Sequence, residues 1–247
     1  MDPPKDEQIV QAQSLYGVCG PYLTKLAHGT APFISTFLLI HLSAPVMANV
    51  GGTSLASQIM LLGREYYQTS FGEKYLLLAP LAIHTLSGLA KRLISPPHLR
   101  RRFTSVLGIT GYSVFLFFLP IHFLNHRVYP ADPSPPIYEV GPSELDYEFV
   151  KVSLQTWPWR SWFLYGGLAL CVAWHAAEGL KIIWNTSLRD IYGAWRSSTR
   201  RRIIGVTLAV VPVLTGVYVM SQEPIYAFSS LAARFRHALY HSFMYRI

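Results

Sequence analysis

The sequence predicts an all-α fold: a polytopic membrane bundle of five transmembrane helices, built from a duplicated helix pair plus a fifth helix. Three observations predict it. The composition is too poor in charge to make a water-facing shell, five apolar runs have bilayer length, and a short motif returns in the second and fourth of them. Of 247 residues, 51% are hydrophobic and 14% charged, against about 25% charged in an ordinary soluble domain. The net charge is +8, from 21 Lys and Arg against 13 Asp and Glu. A nucleic-acid partner would need that charge on a soluble basic face. Basic loops of a membrane protein account for it more simply, so no nucleic-acid partner is expected.

The expected organisation is a short cytosolic tail (1–22) and a first helix-pair repeat (23–95). A second repeat follows (96–184), with a long acidic loop over 125–160. A basic loop with the fifth helix (185–222) and an amphipathic C-terminal segment (223–247) complete the chain. The tail opens MDPPKDEQ, acidic and with Pro. It matches neither a secretory signal nor an Arg-rich presequence. Cys19 and Cys171 lie far apart, and no disulfide framework or Cys-based metal site follows from two such residues.

The apolar runs cover Leu26 to Val46, Tyr75 to Leu93, Val106 to Leu124, Trp162 to Trp184 and Ile203 to Met220. Each approaches the ~20 residues that a helix needs to cross about 30 Å of hydrocarbon. The second is the shortest, and Lys91 and Arg92 at its end can snorkel to the interface. Pro32, Pro45, Pro80, Pro120 and Pro212 fall within or near the runs, tolerable where neighbouring helices satisfy the freed carbonyls.

Charge is unevenly spread over the connections. The second-to-third loop holds Lys91, Arg92, Arg100, Arg101 and Arg102 with no acid. The fourth-to-fifth holds Lys181, Arg189, Arg196, Arg200, Arg201 and Arg202 against Asp190. The third-to-fourth loop carries Asp132, Glu139, Glu144, Asp146 and Glu148. The positive-inside rule puts the N-terminus and both Arg-rich loops in the cytosol and the acidic loop on the far side. Phe228, Leu231, Phe235, Leu239 and Phe243 recur at helical spacing. They fit either an interfacial amphipathic helix or a packed C-terminal one.

The recurring motif is A-x-H-x-x-x-G-L. It runs from Ala82 through His84 and Gly88 to Leu89, and from Ala173 through His175 and Gly179 to Leu180. Ile40-His41-Leu42 and Ile121-His122-Phe123 match more loosely. Each of their histidines follows a small residue, Thr30 or Gly111, about three turns earlier on the same face. Internal duplication is common in membrane folds.

Four histidines thus sit inside four spans, and an imidazole in hydrocarbon must find a partner. One reading pairs His41 with His122 and His84 with His175 as axial ligands of the iron in haem b. Gly88 and Gly179, one turn after their histidines, would let a flat macrocycle approach, and Arg92 and Lys181 would meet its propionates. The other reading has each His hydrogen-bonding a carbonyl on a neighbouring helix. Glu178 either orients His175 or pairs with Lys181 at i,i+3. His28 is expected to be structural, and His98, His126, His237 and His241 interfacial. No nucleotide loop, H-E-x-x-H or G-x-S-x-G is present.

Two resemblances follow. The spacing of His41, His84, His122 and His175 before a fifth helix, with Ile109-Thr110-Gly111 leading to His122, resembles the five-helix, di-haem cytochrome b anchors of succinate dehydrogenases and fumarate reductases. That likeness implies electron transfer between haem and quinone. The broader resemblance runs from about Tyr22 to Met220. Leu62-Gly63-Arg64-Glu65-Tyr66-Tyr67, the stretch Pro80 to Leu93, and Ser143-Glu144-Leu145-Asp146-Tyr147-Glu148-Phe149-Val150-Lys151 are similar to the duplicated membrane domain of the fungal MDM-ten-complementing protein family. It implies a non-enzymatic protein of the mitochondrial outer membrane, in contact with membrane lipids. It further implies a role in lipid homeostasis and as receptor for the bridge-type lipid-transfer protein Vps-thirteen at vacuole–mitochondrion contacts. That family recruits its partner through a Pro-x-Pro motif in a longer tail. Here the tail offers Pro3-Pro4, and the Pro-x-Pro of the chain is Pro133-Ser134-Pro135 in the acidic loop. A lipid scramblase is a third functional class, for which the polar intramembrane residues speak.

The charge asymmetry makes a topological prediction. Protease added to intact mitochondria should remove a tag at the N-terminus and spare one placed between Pro130 and Pro142. The reverse pattern would invert the assignment.

Overall fold

A computed structural model describes residues 5–246, with side chains from 14 onward; the Pro3-Pro4 pair lies outside the described residues. Among the described residues the chain is helical and without strands. Five helices are long and apolar enough to cross a membrane: Ser14–Tyr67, Gly72–Ile94, Val106–Ala131, Pro158–Tyr192 and Thr199–Gln222. We call them the first to fifth spans. The helices exceed the apolar runs at their ends, the first most of all, because a second helix follows its break at Gly51–Gly52.

Helix is the only local structure that satisfies the backbone within one such segment in lipid, and the side chains follow the same rule. Hydroxyls inside the spans donate back to their own helix: Thr30 to the Leu26 carbonyl at 3.0 Å, Thr85 to Leu81 at 2.7 Å and Thr215 to Val211 at 2.9 Å. Large apolar side chains such as Leu39, Leu116 and Leu208 face outward, as a lipid-facing surface requires.

The prolines explain the irregular turns. Pro80 and Pro120 have no N–H to donate, and a proline ring collides with the carbonyl four residues back. Just before each, the helix widens to a π-type turn. The Ala79 N–H reaches back to Lys74 and the Leu119 N–H to Val114, five residues in each case. A third wide turn, Leu124–Val128, follows His122. At Pro212, inside the fifth span, Asn49 of the first helix donates to the Pro212 carbonyl at 2.8 Å. Gly216 lies so close to the Pro45 carbonyl that a Cβ would collide with it. A small residue at that crossing is what lets two membrane helices touch.

The described residues fall into two compact units. One runs up to Ile40 and resumes over Arg64–Gly108; the other is His41–Gly63 with the residues from Ile109 onward. In the first unit Lys91 donates to Thr24 at 2.6 Å, and the Phe37 and Tyr67 rings meet edge to face at 5.1 Å.

The second unit has a folded core beyond its spans. The first helix breaks at Gly51–Gly52, where Gly52 takes φ +61° and ψ −156°, a region that is essentially glycine-only. Helix restarts at Thr53, whose N–H is accepted by the Glu223 carboxylate at 3.1 Å. A Cβ on Gly52 would strike that carboxylate. The third-to-fourth connection is only partly loop. It contains the helix Tyr147–Thr156, capped by the Asp146 side chain accepting the Glu148 N–H at 2.8 Å. Trp157 leaves helical geometry ahead of Pro158, as a residue before proline prefers. Every residue from Tyr147 to Leu154 is buried.

The helix Ser229–Tyr240 buries Ala232, Phe235, Ala238 and Leu239. Phe235 packs on Phe149 with ring centroids 5.3 Å apart. Of the five tail apolars, Phe235 and Leu239 thus face the core, while Phe228 and Phe243 are exposed. Arg234 of this helix donates to the Ile137 carbonyl at 2.7 Å and to Glu144 at 3.2 Å. The Gly141 N–H and then the Arg234 guanidinium hold the Glu144 carboxyl below the usual range.

Burial pushes the Asp146 carboxyl above its ordinary value, against the opposing hydrogen bond from the Glu148 N–H. A group raised on folding stabilises below its unfolded value, and that contribution is lost as pH rises through the folded value. Asn caps a helix as well as Asp does and carries no charge. Asp146→Asn should therefore melt higher than the native chain at pH 7 in detergent, with the gain shrinking toward acid pH. Asp146→Ala, which removes the cap, should lose about 0.5–2 kcal/mol.

Candidate functional site

The polar interior of the second unit is organised around histidines. His41 of the first helix and His122 of the third span meet with ring centroids 5.9 Å apart and planes at 82°. His126 stands one turn beyond His122 on the same face, and their rings lie 4.5 Å apart, tilted by 35°. His126 Nε2 is 3.2 Å from the hydroxyl of Tyr165 in the fourth span. That hydroxyl is 2.9 Å from Ser153 Oγ on the helix Tyr147–Thr156. Phe149 of the same helix covers the other side of His126, centroid to centroid 5.3 Å. A polar line therefore runs His41, His122, His126, Tyr165, Ser153 through apolar surroundings. Each of these side chains can donate or accept.

The remaining predicted site residues fall as follows. His84 belongs to the first unit, and its Nδ1 lies 3.0 Å from the Ala27 carbonyl oxygen. That contact is common to both readings, because an imidazole that ligates iron through Nε2 also bonds a carbonyl through Nδ1. His175 belongs to the second unit. It lies against Gly111, where an added Cβ would come within 2.9 Å of the ring. Gly111 thus makes room for the His175 imidazole. Gly88 and Gly179 face open space. Arg92 braces its own loop, donating to the Arg101 carbonyl at 2.9 Å and lying 5.5 Å over the Phe103 ring. The Lys181 carbonyl accepts from Asn185 at 2.9 Å. Glu178 pairs with Arg202 of the fifth span, in place of either partner expected for it.

His122 also lines a cavity of about 10 Å³, with Phe118, Asn125, His126, Tyr165 and Tyr245 among the other walls; His41 is not one of them. Among the described residues, no group of three His, Cys, Asp or Glu side chains is placed to hold a metal ion.

Two features escaped the sequence reading. His126 was expected at the interface, although its i,i+4 spacing from His122 signals a shared face. The Glu148–Lys151 pair at i,i+3 lies buried, with Nζ 2.5 Å from the Glu148 carboxylate, in a stretch expected to be acidic loop.

No protein-family model, curated protein or solved structure matches the chain.

Proposed function

We propose that the chain is a non-enzymatic, multi-pass protein of the mitochondrial outer membrane with a cytosolic N-terminus. In this reading it supports lipid homeostasis and vacuole–mitochondrion contacts, as receptor or partner of a bridge-type lipid-transfer protein. Its spans descend from two copies of a helix pair followed by a fifth helix. The observation that carries the reading concerns Ser143 to Lys151, one of the stretches that resemble the fungal MDM-ten-complementing family. It contributes the first half of the helix Tyr147–Thr156, all of it buried, with Lys151 wholly enclosed. Packing constrains the identities of such residues, so a likeness there is a likeness of fold rather than of loop composition. The five apolar helices fit the same reading.

The test is recruitment. Raising the level of this chain in cells should draw a fluorescent bridge-type lipid-transfer protein to mitochondria. Replacing Pro133 and Pro135 with Ala should leave that recruitment unchanged, because the loop lies on the far side of the membrane in this topology. An unaltered distribution of the lipid-transfer protein on overproduction would overturn the proposal.

A haem-carrying electron-transfer anchor is the second reading, favoured by the approach of His41 and His122 from two helices. A Soret band in protein purified after haem-replete expression, lost in His41→Ala and in His122→Ala alike, would establish it; a flat spectrum would remove it.

A further inference from the structure

The third span, the fourth span and the segment after Tyr240 enclose one small polar void. Asn125 is 2% exposed, and its Oδ1 has no hydrogen-bond partner. Buried amide oxygens are rarely left so, and an unpaired one signals a missing partner. Asn125 lines the cavity of about 10 Å³ together with His122, His126, Tyr165 and Tyr245, and Phe118, Ile121 and Leu164 complete its wall. Voids that stay dry are lined by apolar groups, whereas a polar void of this size has room for about one water, which needs two to four polar partners. The unpartnered oxygen, the volume and the lining all describe the same guest.

We infer that this cavity is a binding site for a single water molecule, which donates to Asn125 Oδ1, and that the segment 241–246 seals it from bulk solvent. The seal is visible in the contacts of Tyr245. Its side chain is 1% exposed, its hydroxyl lies 3.3 Å from Ser161 Oγ, and its ring lies 5.1 Å from that of Trp157. Arg160, at the start of the fourth span, holds the segment from outside. Its Nη1 donates to the Met244 carbonyl at 3.2 Å and to the Arg246 carbonyl at 2.9 Å.

The protein groups around the void already form one hydrogen-bonded set. His126, Tyr165 and Ser153 are joined in series, Tyr245 bonds Ser161, Ser153 and Tyr165, and Ser161 donates to the Ser153 backbone carbonyl at 2.8 Å. Asn125 Oδ1 is the group this set leaves out. A water in the void accepts from an imidazole N–H or a phenol and donates to Asn125, which brings that oxygen into the same circuit. The consequence is a gate: moving the segment that carries Tyr245 opens the polar interior at His122 to solvent.

X-ray radiolytic labelling of the full chain in lipid nanodiscs, read by mass spectrometry, tests this, because radicals formed at a bound water modify the side chains beside it. Tyr245 should be labelled severalfold above Tyr67, a buried tyrosine that does not line this cavity. Asn125→Leu, which fills the site with an apolar group, should bring Tyr245 down to the level of Tyr67. Arg160→Ala should raise Tyr245 labelling and speed the uptake of label after transfer into H₂¹⁸O. Native Tyr245 at the level of Tyr67 would overturn the water site, as would labelling unchanged in Asn125→Leu. Exchange unaltered by Arg160→Ala would overturn the seal. Should Asn125→Leu fail to fold, the comparison of Tyr245 with Tyr67 in the native chain still decides.

Discussion

A wholly buried ammonium group at Lys151 sets the terms for the second unit. Its side chain has no exposure, and an unpaired cation in such a place is prohibitively expensive. The surroundings answer it on several sides. Glu148 lies at 2.5 Å, Glu223 at 3.8 Å and the face of the Tyr226 ring at 4.6 Å. Both carboxylates then spend their remaining lone pairs on backbone. Glu148 accepts from the Tyr226 and Ala227 N–H groups at 2.8 and 3.1 Å, and Glu223 from Thr53. One charge cluster thus ties together the helix Tyr147–Thr156, the turn after the fifth span and the point where the first helix restarts. Glycine at position 52 is a condition of that arrangement, because a side chain there would displace the Glu223 carboxylate.

The histidine line depends on this clamp through one helix. Lys151 anchors the segment that presents Phe149 to His126 and Ser153 to the Tyr165 hydroxyl. The stretch expected as an acidic loop is the wall of the polar interior. Its acidic residues are partly consumed in folding: Glu148 by Lys151, Glu144 by Arg234 and Asp146 by the helix cap. The surplus of negative charge in that stretch therefore describes its structure as much as its side of the membrane.

What could be read from the chain follows from the range of the forces involved. The five spans were legible because a bilayer imposes length and apolarity on each segment separately. The intramembrane histidines stood out for the same reason, and two of them, His41 and His122, come together. Their surroundings were less legible. Glu178 had two near candidates in sequence and took a distant one, Arg202. The second carboxylate facing Lys151, Glu223, lies beyond two further spans, out of reach of any local pattern. Two local signals were available and unused: the Gly51–Gly52 pair inside an apolar helix, a common mark of a break, and the i,i+4 spacing of His122 and His126.

The clamp at Lys151 can be measured directly by a double-mutant cycle on reversible unfolding in detergent or bicelles, using Lys151→Met, Glu148→Gln and the pair together. Removing one partner of a buried pair leaves an uncompensated charge, so each single substitution should cost about 3–5 kcal/mol, with the double variant recovering most of it. Single losses of about 0–1 kcal/mol that simply add, the behaviour of an exposed ion pair, would contradict the account.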